Sequence, residues 1–215
     1  MLKLAPGDIL LTAGFGGPDA NWRDKMLSKL ILFHEAVQGK GFQPTRSHAE
    51  LICDSNGGTF AARWRTRYRE NGLVDYIGSN ITIGRSLSMT EDLFLKMCEK
   101  SKVNDWDGNI YPVHRIITQL VGTYIFPWLV KWGFLKTGMC SELVANVYHA
   151  GADLGFNYAF VKSGWRGITP ADLEEVIRHG DEFEVVFDGT LTKEIFIESN
   201  LPLFQYSDPD YKEKV

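Results

Sequence analysis

The stretch Met139-Cys140-Ser141-Glu142-Leu143-Val144-Ala145-Asn146-Val147-Tyr148 decides how the chain is read, because it sets a cysteine where a helix starts. Lys136-Thr137-Gly138 interrupts the apolar run before it, so a new helix is expected to begin at Cys140. A thiol in the first turn of a helix faces unpaired backbone N–H groups and the positive end of the helix dipole, which favours the thiolate. The same N–H groups can receive a developing oxyanion, so the position suits acyl transfer. On spacing alone a second reading stands beside this one: a buried structural cysteine, the common fate of the residue.

A thiolate mechanism needs a base, and the sequence offers five histidines. Ser47 to Cys53 is short and mostly apolar, Asp54-Ser55-Asn56-Gly57-Gly58 supplies turn residues, and Thr59 to Trp64 resumes the pattern, so a β-hairpin is expected. His48 lies near the start of its first strand, where an imidazole can point toward a packed helix N-terminus and titrate near neutrality. Taken alone, a histidine so placed is more often a satisfied structural residue than a catalyst. His34 and His149 fall within expected helices, His114 in the approach to one and His179 near a helix end, positions that suit capping or surface roles. Glu50 shares the face of His48, whereas Cys53 faces the opposite side and is expected in the core. Cys98 lies with Leu93, Phe94 and Met97 on the apolar side of a helix, where packing explains it.

Outward from these residues, the chain reads as one domain over 1–215 with enough apolar residues for a sizeable core. A net charge of −4 argues against a general affinity for nucleic acid. Three cysteines without a C-x-x-C pair suggest neither a disulfide framework nor a zinc knuckle, and fit a reducing compartment. Pro6, Gly7 and Asp8 break up the N-terminus before a signal-peptide core can form. The longest apolar stretch, 116–135, contains Gln119, Gly122, Pro127 and Lys131 and lacks the unbroken length of a spanning helix. A cytoplasmic or virion-associated location is the corresponding expectation. Strands are expected at Asp8–Thr12, Ile81–Arg85, Phe183–Phe187 and Glu194–Ile197. Helices are expected over 21–37, after Thr90, over 112–135 and after the cap Thr169 with Pro170 at the first helical position. The Asp- and Lys-rich tail is expected to fray.

Three segments occur in a telling order: Pro6-Gly7-Asp8-Ile9-Leu10-Leu11, Ser47-His48-Ala49-Glu50-Leu51-Ile52 and Cys140-Ser141-Glu142-Leu143-Val144. Together they resemble the circularly permuted NlpC-type peptidases of the YiiX/YaeF-like kind, in which the histidine strand precedes the cysteine helix. The resemblance extends to Ile81-Thr82-Ile83-Gly84-Arg85, to Tyr111 and to Ile168-Thr169-Pro170-Ala171-Asp172-Leu173, and so spans most of the chain. It implies an α+β papain-like fold in which an antiparallel sheet carrying His48 packs against the Cys140 helix, with the site in a cleft between them. It further implies Cys140 as nucleophile, His48 as base, no metal or organic cofactor, and an amide bond in a cell-wall peptide or related small substrate as target.

Two departures qualify what the resemblance implies. The family usually carries a polar residue on the strand after the hairpin to orient the imidazole, and that position here reads as Ala61. The third member is then supplied from elsewhere or absent; Glu50 is the nearest choice by strand parity, although the family gives that position no such role and an exposed carboxylate is its default reading. The second departure is a helical insertion near 15–45, which could form a lid or docking surface. Aromatic residues interleaved with lysine over 124–132 suit a membrane surface or a protein partner, or else a buried core helix. Two rival functions follow: a lipid acyltransferase or phospholipase of the lecithin:retinol acyltransferase-like group, and a degenerate member that binds its ligand without cleaving it.

Overall fold

The computed structural model describes residues 2–14, 22, 25, 26, 28, 29, 31, 32, 46–62, 66–103, 140–154 and 168–200. The helix expected over 112–135, the aromatic segment 124–132, Tyr111, His34, His114 and the tail lie outside these residues.

Six strands form one sheet: β1 (Ile9–Thr12), β2 (His48–Ile52), β3 (Thr59–Ala62), β4 (Thr66–Arg69), β5 (Asn80–Ser86) and β6 (Phe183–Thr190). Their order is β4-β3-β2-β1-β5-β6, and every neighbouring pair is antiparallel. The first strand in sequence is therefore central. Its residues Ile-Leu-Leu-Thr are all buried, which explains why it is a continuous apolar run without polar alternation. Neighbouring residues feed two cores. Ile9, Leu11, Ala49, Leu51, Phe60 and Ala62 pack with Leu143, Val144 and Val147, whereas Leu10, Ile52, Ile81 and Ile83 pack with Leu73 and Tyr76. The period of two along each strand thus serves two apolar layers.

The hairpin joining β2 to β3 is closed by Asp54, whose Oδ1 accepts from the N–H groups of Asn56 at 2.8 Å and Gly58 at 3.0 Å. Four helices are described: α1 (Glu91–Ser101), α2 (Cys140–Gly151), α3 (Pro170–His179) and α4 (Lys193–Asn200). Thr90 caps α1 by accepting from the Leu93 N–H at 3.3 Å. A reciprocal capping box between Thr169 and Asp172 opens α3, with Pro170 in its first turn. Close approach of α3 to the sheet demands Gly84 on β5, where a Cβ would lie 2.5 Å from the Ile177 side chain. None of the described helices is long and apolar enough to cross a membrane.

Two local expectations are corrected and two elements are added. Glu194–Ile197 is not a strand but part of α4, because Thr192 caps it: its Oγ1 accepts from the Ile195 N–H at 3.3 Å and its carbonyl from the Phe196 N–H at 3.0 Å. Ile195-Phe196-Ile197 is too short an apolar run for its period to separate strand from helix. Between Ala62 and the next turn the chain forms β4, and Gly72–Tyr76 forms a 3₁₀ helix; neither carries a distinctive sequence signal. Within the expected 21–37 helix, the described positions are helical, yet Trp22 and Met26 are exposed while Ser28 and Ile31 are buried. The inward stripe therefore differs from one drawn through every large apolar residue.

Candidate active site

His48 is the first residue of β2, and the residue before it fixes where that strand begins. Ser47 donates its backbone N–H to the Thr12 carbonyl and its Oγ hydrogen to the Ala13 carbonyl, both at 2.9 Å. The imidazole is fully buried, with Nε2 2.9 Å from Glu50 Oε1. Residues i and i+2 of a strand share a face, which is why the carboxylate two positions on can reach the ring. The same Glu50 Oε1 accepts a hydrogen bond from the Tyr76 hydroxyl at 2.5 Å, delivered by the 3₁₀ helix. Ala61 stands directly opposite Glu50 in the β2–β3 register. Its methyl group offers no hydrogen bond, so the carboxylate at the imidazole comes from β2 itself and not from β3.

Cys140, 1% exposed, is the first residue of α2 and lies beside the imidazole, near enough for its charge and side chain to act on the ring. Burial pushes the His48 pKa down, but the charge of the Cys140 thiolate and its hydrogen bond, followed by the hydrogen bond and charge of Glu50, carry it above its ordinary value of 6.5. Cys140 and Glu50 thus both favour the protonated ring in a dry interior. Burial raises Cys53 beyond the range in which it could ionise, and raises Cys98 to about 12. Both are partly buried against the first core. His149 and His179 are exposed.

Most of the motif residues beside this trio act as joints. Ser141 Oγ donates to the Ile168 carbonyl at 2.6 Å, tying the start of α2 to the cap of α3. Tyr148 donates to the Gly7 carbonyl at 2.7 Å, anchoring the far half of α2 to the approach of β1. Gly7 itself has φ +92°, and a Cβ there would lie 2.8 Å from Met89 Cγ, so the turn admits only glycine. Asp8 is buried and accepts from the Ala5 N–H at 2.9 Å and from Arg85 Nε and Nη2 at 2.8 and 2.7 Å.

A second polar cluster lies two residues before His48. Arg46, nearly buried, donates to Thr82 Oγ1 from Nε at 3.1 Å, to Asn80 Oδ1 from Nη2 at 2.7 Å and to Asp188 Oδ1 from Nη2 at 3.1 Å. Arg178 of α3 meets Asp188 Oδ2 at 2.8 Å and Glu174 Oε1 at 3.0 Å. These groups surround an open depression of about 340 Å³ lined by Arg46, Asn80, Arg178, Asp188 and Gly189. Sequence reasoning singled out neither Arg46 nor Tyr76. An isolated arginine before a strand and a tyrosine after Asp75 carry no spacing that marks them.

Fold and site together define an α+β protein in which a helix-initial thiol, an imidazole and a carboxylate meet in the interior. No family model and no curated protein matches the chain. Among solved structures it is similar to the crystal structure of the metalloprotein YiiX from Escherichia coli O157:H7, at 12% sequence identity and a TM-score of 0.43, over 91% of this chain and 93% of that one. No feature of the site rests on that likeness.

Proposed function

We propose that the protein is a cysteine hydrolase that cleaves an amide bond through an acyl-enzyme on Cys140. The observation that carries this reading is the Cys140–His48–Glu50 contact chain at the start of α2. His48 holds the proton taken from Cys140, and the thiolate attacks the substrate carbonyl carbon. First-turn N–H groups of α2 stabilise the oxyanion. The imidazolium then gives its proton to the leaving amine as the C–N bond breaks, leaving a thioester. His48 next takes a proton from water, the hydroxide attacks the thioester, and the C–S bond breaks to release a carboxylic acid and restore the thiolate–imidazolium pair. Glu50 holds the ring orientation throughout. Substrate choice follows the resemblance of the sequence motifs to the permuted NlpC-type peptidases, which implies a cell-wall peptide or related amide.

The test is to offer fluorogenic cell-wall peptides and phospholipids in parallel, while following intact mass for a covalent acyl adduct. Peptide turnover with an adduct that is lost in Cys140→Ala is the expected result. Turnover of lipid alone would move the chemistry to an acyl ester. Absence of any turnover, with Cys140 alkylated by iodoacetamide no faster than Cys53 and Cys98, would remove the enzyme reading and leave a binding protein.

A further inference from the structure

Tyr76 lies outside every motif noted in the sequence, yet its hydroxyl is buried against the carboxylate that faces the imidazole. Two donors, Tyr76 Oη–H and His48 Nε2–H, converge on the single oxygen Glu50 Oε1, at 2.5 and 2.9 Å. A fully buried carboxylate is costly to keep ionised unless donors compensate it. Tyr76 can act as such a donor without bringing a charge of its own. Its ring is fixed in the second core with Leu10, Leu73, Ile81 and Ile83, and the short 3₁₀ turn Gly72–Tyr76 fixes its backbone. An aromatic hydroxyl has few rotatable bonds, so packing the ring also aims the donor.

We propose that Tyr76 is a positioning residue of this site: by donating to Glu50 Oε1 it keeps that carboxylate ionised and turned toward His48 Nε2, and thereby fixes the orientation of the ring beside Cys140. This rests on the Cys140–His48 reading above. It goes further in assigning a fourth member, drawn from a segment remote from both the hairpin and the cysteine helix. Among the described residues, the titratable groups acting on the imidazole are the Cys140 thiol from α2 and the Glu50 carboxylate from β2, and Tyr76 acts on it through Glu50.

The test reads the imidazole directly and so does not depend on turnover. In ¹⁵N-labelled full-length protein carrying Cys140→Ala, which removes the thiolate's influence, the His48 ring nitrogens are titrated by NMR with and without Tyr76→Phe. Losing one charge-assisted hydrogen bond to the carboxylate should lower the His48 midpoint by about one pH unit, a roughly tenfold change in acid constant. Phenylalanine keeps the ring and its packing, so the fold is expected to persist. Glu50→Gln is the second arm: it should lower the midpoint at least as far, and adding Tyr76→Phe to it should lower the midpoint no further. An unchanged midpoint in Tyr76→Phe, or additive effects in the double variant, would overturn the role of Tyr76 even if the protein hydrolyses its substrate. Conversely, the expected coupling in a protein without turnover would uphold Tyr76 while the hydrolase reading fell.

Discussion

Two polar clusters diverge from one short segment, Arg46-Ser47-His48, one open to solvent on one side and one fully buried, and their hydrogen bonding differs in kind. Around Arg46, two guanidinium groups meet two carboxylates, those of Asp188 and Glu174, with Thr82 and Asn80 completing the donor and acceptor sets. Charge is balanced there and nearly every donor has an acceptor, so the cluster clasps the approach to β2 against β5, β6 and α3. Around His48, a single carboxylate oxygen serves two donors, and a thiol acts on the ring from the start of α2. A saturated network resists change, whereas one built on titratable partners is poised for it.

The comparison breaks most sharply at the thiol. Replacing Cys140 by Ala should reduce kcat/KM on the cleaved amide by at least about 10³-fold, since no other described thiol is ionisable near neutrality. Thermal stability should change little. A variant retaining more than a tenth of wild-type turnover would show that Cys140 is structural.

Arg46→Ala tests the other side of the contrast. Removing a nearly buried guanidinium strands Thr82, Asn80 and part of Asp188, at an expected cost of about 2–3 kcal/mol in urea denaturation. The lower part of the buried-pair range applies because Asp188 is partly exposed and water can take over one partner. If the variant were as stable as the parent and lost turnover instead, the clasp would belong to the site.

Much of this contrast was visible before the fold was known, though unevenly. The hairpin, β1, β5, the start of α2 and both helix caps are local features, written in turn residues, apolar runs and capping side chains over a few positions. Glu50 could be placed beside His48 by parity alone, since a strand's period of two needs no tertiary knowledge. Ala61 could not be interpreted, because only the register shows it facing Glu50 across β2 and β3. Tyr76 and Arg46 were hidden for the same reason: their partners lie 26 to 142 residues away, and a contact of that length leaves no periodicity behind. The α4 segment misled because its cap, Thr192, is a weak signal beside three consecutive apolar residues.

Glu50→Gln sharpens the distinction at smaller scale. His48 is raised above its ordinary value, so the imidazolium survives as pH rises through 6.5 and is lost only above that, through its raised value. The glutamine variant loses the Glu50 charge and weakens the hydrogen bond, while the opposing burial remains. The alkaline limb of the pH profile of acylation should therefore move downward, with activity at neutral pH falling roughly tenfold. An alkaline limb left in place would mean that the carboxylate does not influence the ring.

The smallest effect expected is on acid stability, and it sets Asp188 against Asp8. Hydrogen bonding from Arg178, opposed by burial and joined by Thr82 and the charges of Arg178 and Arg46, lowers the Asp188 pKa below its ordinary 3.8. The folded state thus prefers its ionised form. That stabilisation is complete above 3.8 and disappears as pH falls through the lowered value. Asp8 runs the other way. Burial outweighs Arg85 and the Ala5 N–H and raises its pKa, so the folded state binds a proton more readily than the unfolded chain does. Its contribution is fullest below 3.8 and is lost as pH rises through the raised value. Comparing stability between pH 6 and 3, Asp188→Asn should lose less on acidification than the parent, by under about 1 kcal/mol after allowance for its exposure. Asp8→Asn should lose more. If both variants shifted acid stability in the same direction, the clasp at Arg46 and the joint at Asp8 would not differ in the balance of burial and pairing that separates them here.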